Sequence, residues 1–123
     1  MIGLGLDLCE IGRIEKELQK GDAFLRRFFT ESEREYVAGR GKAGADSAAA
    51  MFCAKEAFLK AAGAGLGGGI ALSEIGVRHD ERGAPRYELT GAAAEKMRAL
   101  GATRAHLSLT HEGGMAGAVC VLE

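Results

Sequence analysis

The order of hydrophobic and polar positions divides the chain into strand-like and helix-like segments. Residues 1–8 alternate apolar residues with glycine and have an acid, Asp7, near their end, which predicts a first strand. Gly3 and Gly5 weaken such a strand unless another element has to approach its backbone closely. Period-two alternation returns on both sides of turn residues at 74–90 and at 105–122, and these two segments predict β-hairpins.

The remaining segments have the spacing of amphipathic helices. Thr30 and Glu33 form a capping box, which opens a helix to about Ala38. Ser47, preceded by Asp46, is the expected N-cap of the central helix, after a glycine-rich connection over 39–46. The predicted helices cover residues 10–20, 30–38, 47–62 and 91–100, the last capped by Thr90.

The order strand, helices, hairpin, helix, hairpin predicts an α+β fold, in which an antiparallel sheet has helices packed on one side. A length of 123 residues without repeat or composition break predicts a single domain, 1–123. With 47% hydrophobic and 27% charged residues, the chain can bury a core and stay soluble.

The central helix carries four apolar residues at the spacing of a buried stripe: Met51, Ala54, Phe58 and Ala61. Three polar residues fall largely together off that stripe: Lys55, Glu56 and Lys60. Glu56 and Lys60 are one turn apart, so a carboxylate and an ammonium point the same way. Taken alone, such a pair is an ordinary surface ion pair worth tenths of a kcal/mol.

Charge and cysteine content exclude several classes of function. A formal net charge of −1 argues against wholesale nucleic-acid binding. The three cysteines have no metal-ligand spacing and predict reduced thiols in a cytoplasmic protein. The N-terminus does not have the pattern of a signal peptide, and no apolar run is long enough to span a bilayer, so no membrane association is expected.

A glycine-rich segment follows the central helix. Residues 63–69 hold five glycines, including Gly63 and Gly65, which can end the helix. The segment is a loop or a backbone cradle for phosphates, and no Gly-Lys-Ser/Thr follows to make it a P-loop.

Four segments carry a family pattern, and they come in the family's order: GLGLD at 3–7 with Arg13-Ile14 after it, FLRRFFT at 24–30, FCAKEAFLK at 52–60, and HLSLTHE at 106–112. Together they resemble the small bacterial holo-[acyl-carrier-protein] synthases, which are 4′-phosphopantetheinyl transferases. Two departures are visible. Cys53 stands where alanine is usual, and Met51 stands where many relatives have arginine.

The resemblance implies a reaction in which coenzyme A donates its 4′-phosphopantetheine arm to a serine of an apo acyl-carrier protein, leaving adenosine 3′,5′-bisphosphate. It also implies Mg²⁺ held by Asp7 and Glu56, and a homotrimer with active sites between subunits. Mg²⁺ binds through carboxylates, substrate phosphates and waters, so two acids suit it. Lys60 would stabilise charge on the leaving phosphate. The carrier serine would be deprotonated by Lys60, as an alternative role, or by a carboxylate acting through water.

The same resemblance implies contacts with the two substrates. Ser108 and His111, with Gly63 and Gly65, are candidates for coenzyme A. Since Ser108 and His111 are three residues apart, at least one should lie at a bend or a strand end. The candidates for docking an acidic carrier protein are Arg13, Arg26 and Arg27.

Two other functions remain open at this point. The same acids and lysine would serve a Mg²⁺-dependent nucleotide or pyrophosphate hydrolase. Alternatively, the protein is a non-catalytic oligomeric binding module, in which Glu56 and Lys60 form a structural pair.

Overall fold

The computed structural model describes residues 1–65 and 68–123. In that part of the chain it has five strands and five α-helices, with two short 3₁₀ turns at Gly41–Ala43 and Leu72–Glu74. The elements are β1 (Gly3–Glu10), α1 (Ile11–Gln19), α2 (Ala23–Phe28), α3 (Glu31–Gly39), α4 (Gly44–Ala62), β2 (Ile75–His79), β3 (Pro85–Leu89), α5 (Gly91–Leu100), β4 (Ala105–Glu112) and β5 (Met115–Leu122). Both predicted hairpins and all four predicted helices are present.

The strands form two antiparallel sheets. β5 lies between β1 and β4 in a three-stranded sheet, and β2 pairs with β3 in a separate hairpin. α4 packs across one face of the larger sheet, against β1 and β5. The predicted α+β class, with helices on one side of an antiparallel sheet, is confirmed.

α4 approaches β1 so closely that two strand positions have no room for a side chain. A Cβ atom placed on Gly5 would lie 1.9 Å from the carbonyl oxygen of Ala57, and one on Gly3 would lie 2.0 Å from that of Ala61. The glycines therefore let strand and helix backbones touch, which is the close approach that their place in a strand suggested.

The apolar stripe of α4 is buried as predicted. Met51, Ala54, Phe58 and Ala61 are all in the core. Gly63 ends the helix in the left-handed conformation, with φ of 67°, and its N–H donates to the carbonyl groups of Leu59 and Lys60.

The predicted start of this helix is wrong. α4 begins at Gly44, three residues before Ser47, and its N-cap position is Ala43, which makes no side-chain cap hydrogen bond. The 3₁₀ turn Gly41–Ala43 leads directly into the helix. Gly44 then packs so closely on α3 that a Cβ there would lie 2.9 Å from the carbonyl oxygen of Val37. Tertiary packing thus begins the helix where the sequence offers no cap.

The placement of Lys55 on the polar side of the helix is also wrong. Its side chain has no exposed surface, and its Nζ donates to both carboxylate oxygens of Glu33, at 2.8 and 3.0 Å. It also donates to the carbonyl groups of Leu72 and Ile75, at 3.0 and 2.9 Å. Burial lowers the pKa of Lys55, and the charge of Glu33 opposes that effect.

The Lys55–Glu33 pair joins four elements. The Glu33 carboxylate also accepts from the backbone N–H of Thr30, which completes the predicted capping box, and from that of Val77 in β2. Every polar atom of the pair therefore has a partner. Removing one member of such a pair leaves an uncompensated buried charge and costs about 3–5 kcal/mol.

The N-cap of α5 was predicted at Thr90. Thr90 occupies the N-cap position of α5 but makes no side-chain cap hydrogen bond. The carboxylate of Glu74 instead accepts from the N–H of Ala92, at 2.8 Å.

All three cysteines are free thiols, as predicted. Among the described residues no helix is both long and apolar enough to cross a membrane.

The contact between β1 and α4 leads to a first prediction. Gly5→Ala should lower the free energy of unfolding by about 3 kcal/mol, because the new methyl group would overlap the Ala57 carbonyl oxygen and the backbones would have to separate. Chemical denaturation monitored by circular dichroism measures this. The matched control is Gly12→Ala in α1, where an added Cβ meets no atom within 4 Å. Equal stability of the two variants would show that the close approach of α4 does not restrict the size of the side chain at position 5.

Candidate functional site

Two of the three residues proposed for catalysis, Asp7 and Lys60, are in contact where β1 crosses α4. The Nζ atom of Lys60 lies 3.1 Å from Oδ1 of Asp7 and donates to the carbonyl oxygen of Leu6 at 2.9 Å. Glu56 lies one helical turn before Lys60 on α4. We call Asp7, Glu56 and Lys60 the β1–α4 site.

Strand alternation and the two glycines place Asp7 there. On β1 the side of Gly3, Gly5, Asp7 and Cys9 faces α4, while the leucines between them face away. The side chain of Asp7 is 16% exposed and that of Lys60 is 56% exposed, so the carboxylate is held in place and the ammonium is accessible.

The charges within the β1–α4 site act on one another. Burial raises the pKa of Glu56, the negative charge of Asp7 raises it further, and the positive charge of Lys60 partly opposes both effects. Two carboxylates therefore lie near each other with incomplete compensation from one ammonium group. Such a place is favourable for a further cation.

The donor set fits Mg²⁺. Both acids offer hard oxygen ligands, and Mg²⁺ is usually held by one or two carboxylates while phosphates and waters fill its other positions. Within residues 1–65 and 68–123, no three His, Cys, Asp or Glu side chains are grouped so that they could hold a metal ion. A site made of two carboxylates would leave ligand positions to a substrate.

The candidates Ser108 and His111 lie in one uninterrupted strand. β4 pairs with β5 along its whole length, with Ser108 opposite Val119 and His111 opposite Ala116. The alternation puts the two side chains on opposite faces of the sheet, and His111 is the second-to-last residue of the strand. Ser108 and His111 therefore line different depressions of one chain.

His111 opens on a cavity of about 330 Å³ that sequence reasoning missed. There the rings of Tyr36 and His79 stack in parallel, with centroids 4.1 Å apart, and the guanidinium of Arg40 lies 5.7 Å from the Tyr36 ring centroid. Flat rings beside cationic or hydrogen-bonding groups can hold an aromatic base and a phosphate. The residues come from α3, β2 and β4, and only the fold brings them together.

Ser108 lies on the other face, in a shallow groove of about 240 Å³ shared with Leu6, Leu8 and Val119. That groove is mostly apolar. Of the glycine-rich segment, Gly63 and Gly65 both adopt positive φ, 67° and 64°. The predicted cradle also includes Leu66 and Gly67, which lie outside the described residues.

The three arginines proposed for docking differ in their surroundings. Arg26 pairs with Asp22 at 2.6 Å, and that pair holds the pKa of Asp22 below its ordinary value. Arg27 lies over the ring of Phe28, with its Cζ atom 5.0 Å from the centroid. Arg13 and Arg27 have no acidic partner among residues 1–65 and 68–123.

An apolar groove of about 300 Å³ lies beside these arginines, between α1 and α2. Phe24 and Phe28 line it with Arg27 and with Lys20. Lys20 pairs with Glu17 of the same groove at 2.9 Å. The two rings meet edge to face, with centroids 5.2 Å apart. An apolar centre beside the guanidinium of Arg27, which has no acidic partner in the described part of the chain, suits an acidic partner with an apolar side chain to insert.

Two cysteines next to the β1–α4 site were not predicted to have a role. Cys9 follows Asp7 by two residues on the same face of β1, and Cys53 precedes Glu56 by three residues on α4. Their sulfur atoms are 3.0 Å apart. The spacing to the two acids was readable from the sequence, but the contact between the strand and the helix was not.

Comparisons with known proteins identify the family of the chain. The family model of the 4′-phosphopantetheinyl transferase superfamily matches residues 3–116. Over its whole length the chain is 45% identical to the holo-[acyl-carrier-protein] synthase of Treponema denticola, and the alignment covers 98% of that relative.

Solved structures give the same result. The structure of holo-[acyl-carrier-protein] synthase from Neisseria meningitidis superimposes with a TM-score of 0.90 at 33% identity and covers 100% of this chain and 98% of that one. The Helicobacter pylori holo-[acyl-carrier-protein] synthase in complex with coenzyme A gives a TM-score of 0.84 at 31% identity, with 98% and 99% covered. A match of this length, in sequence and in structure, means that the chain belongs to the 4′-phosphopantetheinyl transferase superfamily.

Proposed function

We propose that the protein is a holo-[acyl-carrier-protein] synthase: it transfers 4′-phosphopantetheine from coenzyme A to a serine of an apo acyl-carrier protein and releases adenosine 3′,5′-bisphosphate. The observation that carries the proposal is the meeting of Asp7, Glu56 and Lys60 at one place on a fold shared with such synthases. The similarity to a synthase in complex with coenzyme A supports coenzyme A as the donor. This similarity favours the transferase over the two alternative functions, the hydrolase and the non-catalytic binding module.

The reaction is a phosphoryl transfer at a pyrophosphate. The serine hydroxyl attacks the phosphorus that carries the pantetheine arm, the bond from that phosphorus to the bridging oxygen breaks, and adenosine 3′,5′-bisphosphate leaves with the bridging oxygen. In such a transition state charge spreads over oxygen atoms, so catalysis depends on positioning and charge neutralisation.

Each residue of the β1–α4 site has a place in this reaction. Asp7 and Glu56 would hold Mg²⁺, which neutralises phosphate charge when bound. Lys60 would donate to phosphate oxygens, since its accessible ammonium already donates to two oxygen acceptors, Asp7 Oδ1 and Leu6 O. An ammonium that is donating in this way suits charge stabilisation better than proton abstraction. The serine proton would then leave to a carboxylate oxygen, directly or through water.

The nucleotide end of coenzyme A fits the cavity at His111. Its stacked rings and Arg40 offer a face for adenine and a charge for phosphate. The cavity lies against Ser47 and Ala50, on the same helix that carries Glu56 and Lys60. Gly63 and Gly65, three and five residues after Lys60, have no side chains and would let the pantetheine arm pass close to their backbone; the N–H of Gly63 already donates to the carbonyl groups of Leu59 and Lys60.

The proposal also includes a homotrimer. On the outer face of the three-stranded sheet, Leu4, Leu6 and Leu8 are 58%, 67% and 65% exposed. Val119 and Ser108 continue this face on β5 and β4. A contiguous apolar sheet face is unusual on a monomer and is typical of an interface. Copies of this chain are its natural occupant, and cyclic closure around three copies would bring Ser108 to a subunit boundary.

The first test measures transfer of the phosphopantetheine arm to a carrier protein directly. The protein is incubated with Mg²⁺, coenzyme A and an apo acyl-carrier protein, and the intact mass of the carrier is recorded. We expect a gain equal to the phosphopantetheine arm. Lys60→Met should lower kcat by about 100-fold or more, because one preorganised charge is lost. Its thermal unfolding should change little, since the ammonium is half exposed.

Lys60→Arg is the matched control, since it keeps the charge and should retain part of the activity. Cleavage of coenzyme A without carrier protein would assign the protein to hydrolysis instead. Unchanged turnover in Lys60→Met would remove Lys60 from the site, and neither event in the wild type would support the binding module.

The second test concerns the carrier protein. Charge reversal of Arg13 or Arg27 to glutamate should raise the KM for apo carrier protein by about 10-fold or more while the Kd for coenzyme A stays constant, since rim charges steer association. Arg104→Glu is the control. It makes the same change in net charge at an exposed position before β4. A loss confined to coenzyme A binding, or an equal effect at Arg104, would refute docking at Arg13 and Arg27.

The third test concerns assembly. Light scattering coupled to size exclusion should give the wild type three times the mass of the 12.9 kDa chain. Leu6→Asp should give a single chain, because a carboxylate on the outer sheet face would be buried without a partner at the interface. Leu6→Ile should stay assembled. A monomeric wild type would contradict the trimer.

A further inference from the structure

Cys9 and Cys53 connect β1 to α4 right beside the β1–α4 site. Their Sγ atoms are 3.0 Å apart, and both are free thiols. The Cys53 sulfur also lies 3.4 Å from the carbonyl oxygen of Ala116, and that of Cys9 lies 3.6 Å from the carbonyl oxygen of Ala49. These neighbours hold the two sulfur atoms toward each other.

The distance between the sulfur atoms is short enough for a covalent bond to form with a small movement. A disulfide has its sulfur atoms about 2.0 Å apart, so they would have to approach by about 1 Å in total. The glycine contacts at Gly3 and Gly5 already keep strand and helix at their closest approach.

The two cysteines differ in access to solvent. Cys53 has no exposed surface, whereas Cys9 is partly exposed. An oxidant in solution therefore meets Cys9 first, and Cys53 is the only thiol within contact of it. The third cysteine, Cys120, is buried at another place, where burial raises its pKa to about 11.

We propose that Cys9 and Cys53 form an oxidisable dithiol that hydrogen peroxide converts to a disulfide, and that this bond lowers the activity of the neighbouring site. The Cys9 sulfur attacks one peroxide oxygen, the O–O bond breaks, and sulfenic acid and water form. The Cys53 sulfur then attacks the Cys9 sulfur, the S–O bond breaks, and a second water leaves with the Cys53 proton. Hydrogen peroxide is reduced by two electrons, and the two thiols are oxidised by two.

Oxidation affects the site through the two backbones that carry the acids. Asp7 lies two residues before Cys9, and Glu56 lies one turn after Cys53. A disulfide fixes these backbones to each other at one end of the site, so the carboxylates lose the freedom to adjust to a cation and a substrate. The effect on transfer rests on the proposed function, whereas the formation of the bond does not.

Burial raises the pKa of both thiols, Cys9 and Cys53.

The experiment uses the full chain and counts thiols. The protein is exposed to hydrogen peroxide, denatured, alkylated and measured by intact mass and peptide mapping. We expect the wild type to lose two hydrogen atoms, to retain a single thiol that can be alkylated, and to yield a peptide that links Cys9 to Cys53. Dithiothreitol should restore three thiols. Cys120→Ala should behave as the wild type, and Cys53→Ser, whose hydroxyl can also reach Ala116, should form no link.

Transfer to the carrier protein is measured on the same samples. It should fall by about ten-fold or more in the oxidised wild type, since carboxylates that cannot adjust to the cation and the substrate stay out of the productive geometry, and a misplacement of about 1 Å can cost about 100-fold. It should recover with dithiothreitol and be unaffected by peroxide in Cys53→Ser. Three free thiols after oxidation, or overoxidised Cys9 without a link, would overturn the proposal, as would a complete link with unchanged transfer. If the reduced protein transfers nothing, the proposed function fails while the thiol count still decides on the dithiol.

Discussion

The site depends on backbone contact between a strand and a helix, made possible by two residues without side chains. At Gly3 and Gly5 the carbonyl groups of α4 occupy the space where a Cβ would be. Strand and helix therefore lie closer than any pair of larger residues permits. Asp7, the next residue on that face of β1, comes within 3.1 Å of Lys60 as a direct consequence. The same approach brings Cys9 against Cys53.

A second interaction fixes the rotation of α4 about its axis. Lys55 is anchored in the core by Glu33 and two carbonyl groups. Glu56, the next residue, is turned about 100° from it by helical geometry and so faces a different side. A buried ion pair is weak evidence for net stability, but it defines one orientation, because other rotations would leave its charges unpaired. The buried Lys55 thus determines the direction in which its neighbour Glu56 points toward the β1–α4 site.

Much of the fold could be predicted from the sequence, and the failures have physical causes. Local signals such as the Thr30 capping box and the left-handed Gly63 gave correct element ends. Ser47 was wrongly predicted as the N-cap of α4. Its side chain could cap a helix, but packing starts the helix earlier, at Gly44. Lys55 was wrongly predicted to lie on the polar side of α4 because its side chain is charged. It lies four residues after Met51 and three before Phe58, which is the spacing of the buried stripe, and its partner Glu33 is 22 residues away.

The site could be predicted only in part. Asp7, Glu56 and Lys60 were found through a family resemblance, and the structure brings Asp7 and Lys60 into contact. The Tyr36–His79 cavity could not be found, because its residues lie on three elements whose approach no local pattern reveals. Ser108 and His111 were grouped by sequence proximity, yet strand alternation separates them. A common ligand for both then requires more than one subunit.

The central claim is that Asp7 and Glu56 share one divalent cation at the contact between β1 and α4. Anomalous diffraction from crystals grown with Mn²⁺ and coenzyme A, recorded near the manganese absorption edge, tests it most directly. We expect one strong peak within about 2–2.5 Å of a carboxylate oxygen from each of the two residues. A peak that contacts neither carboxylate, or a manganese-loaded crystal without a peak at this place, would contradict it.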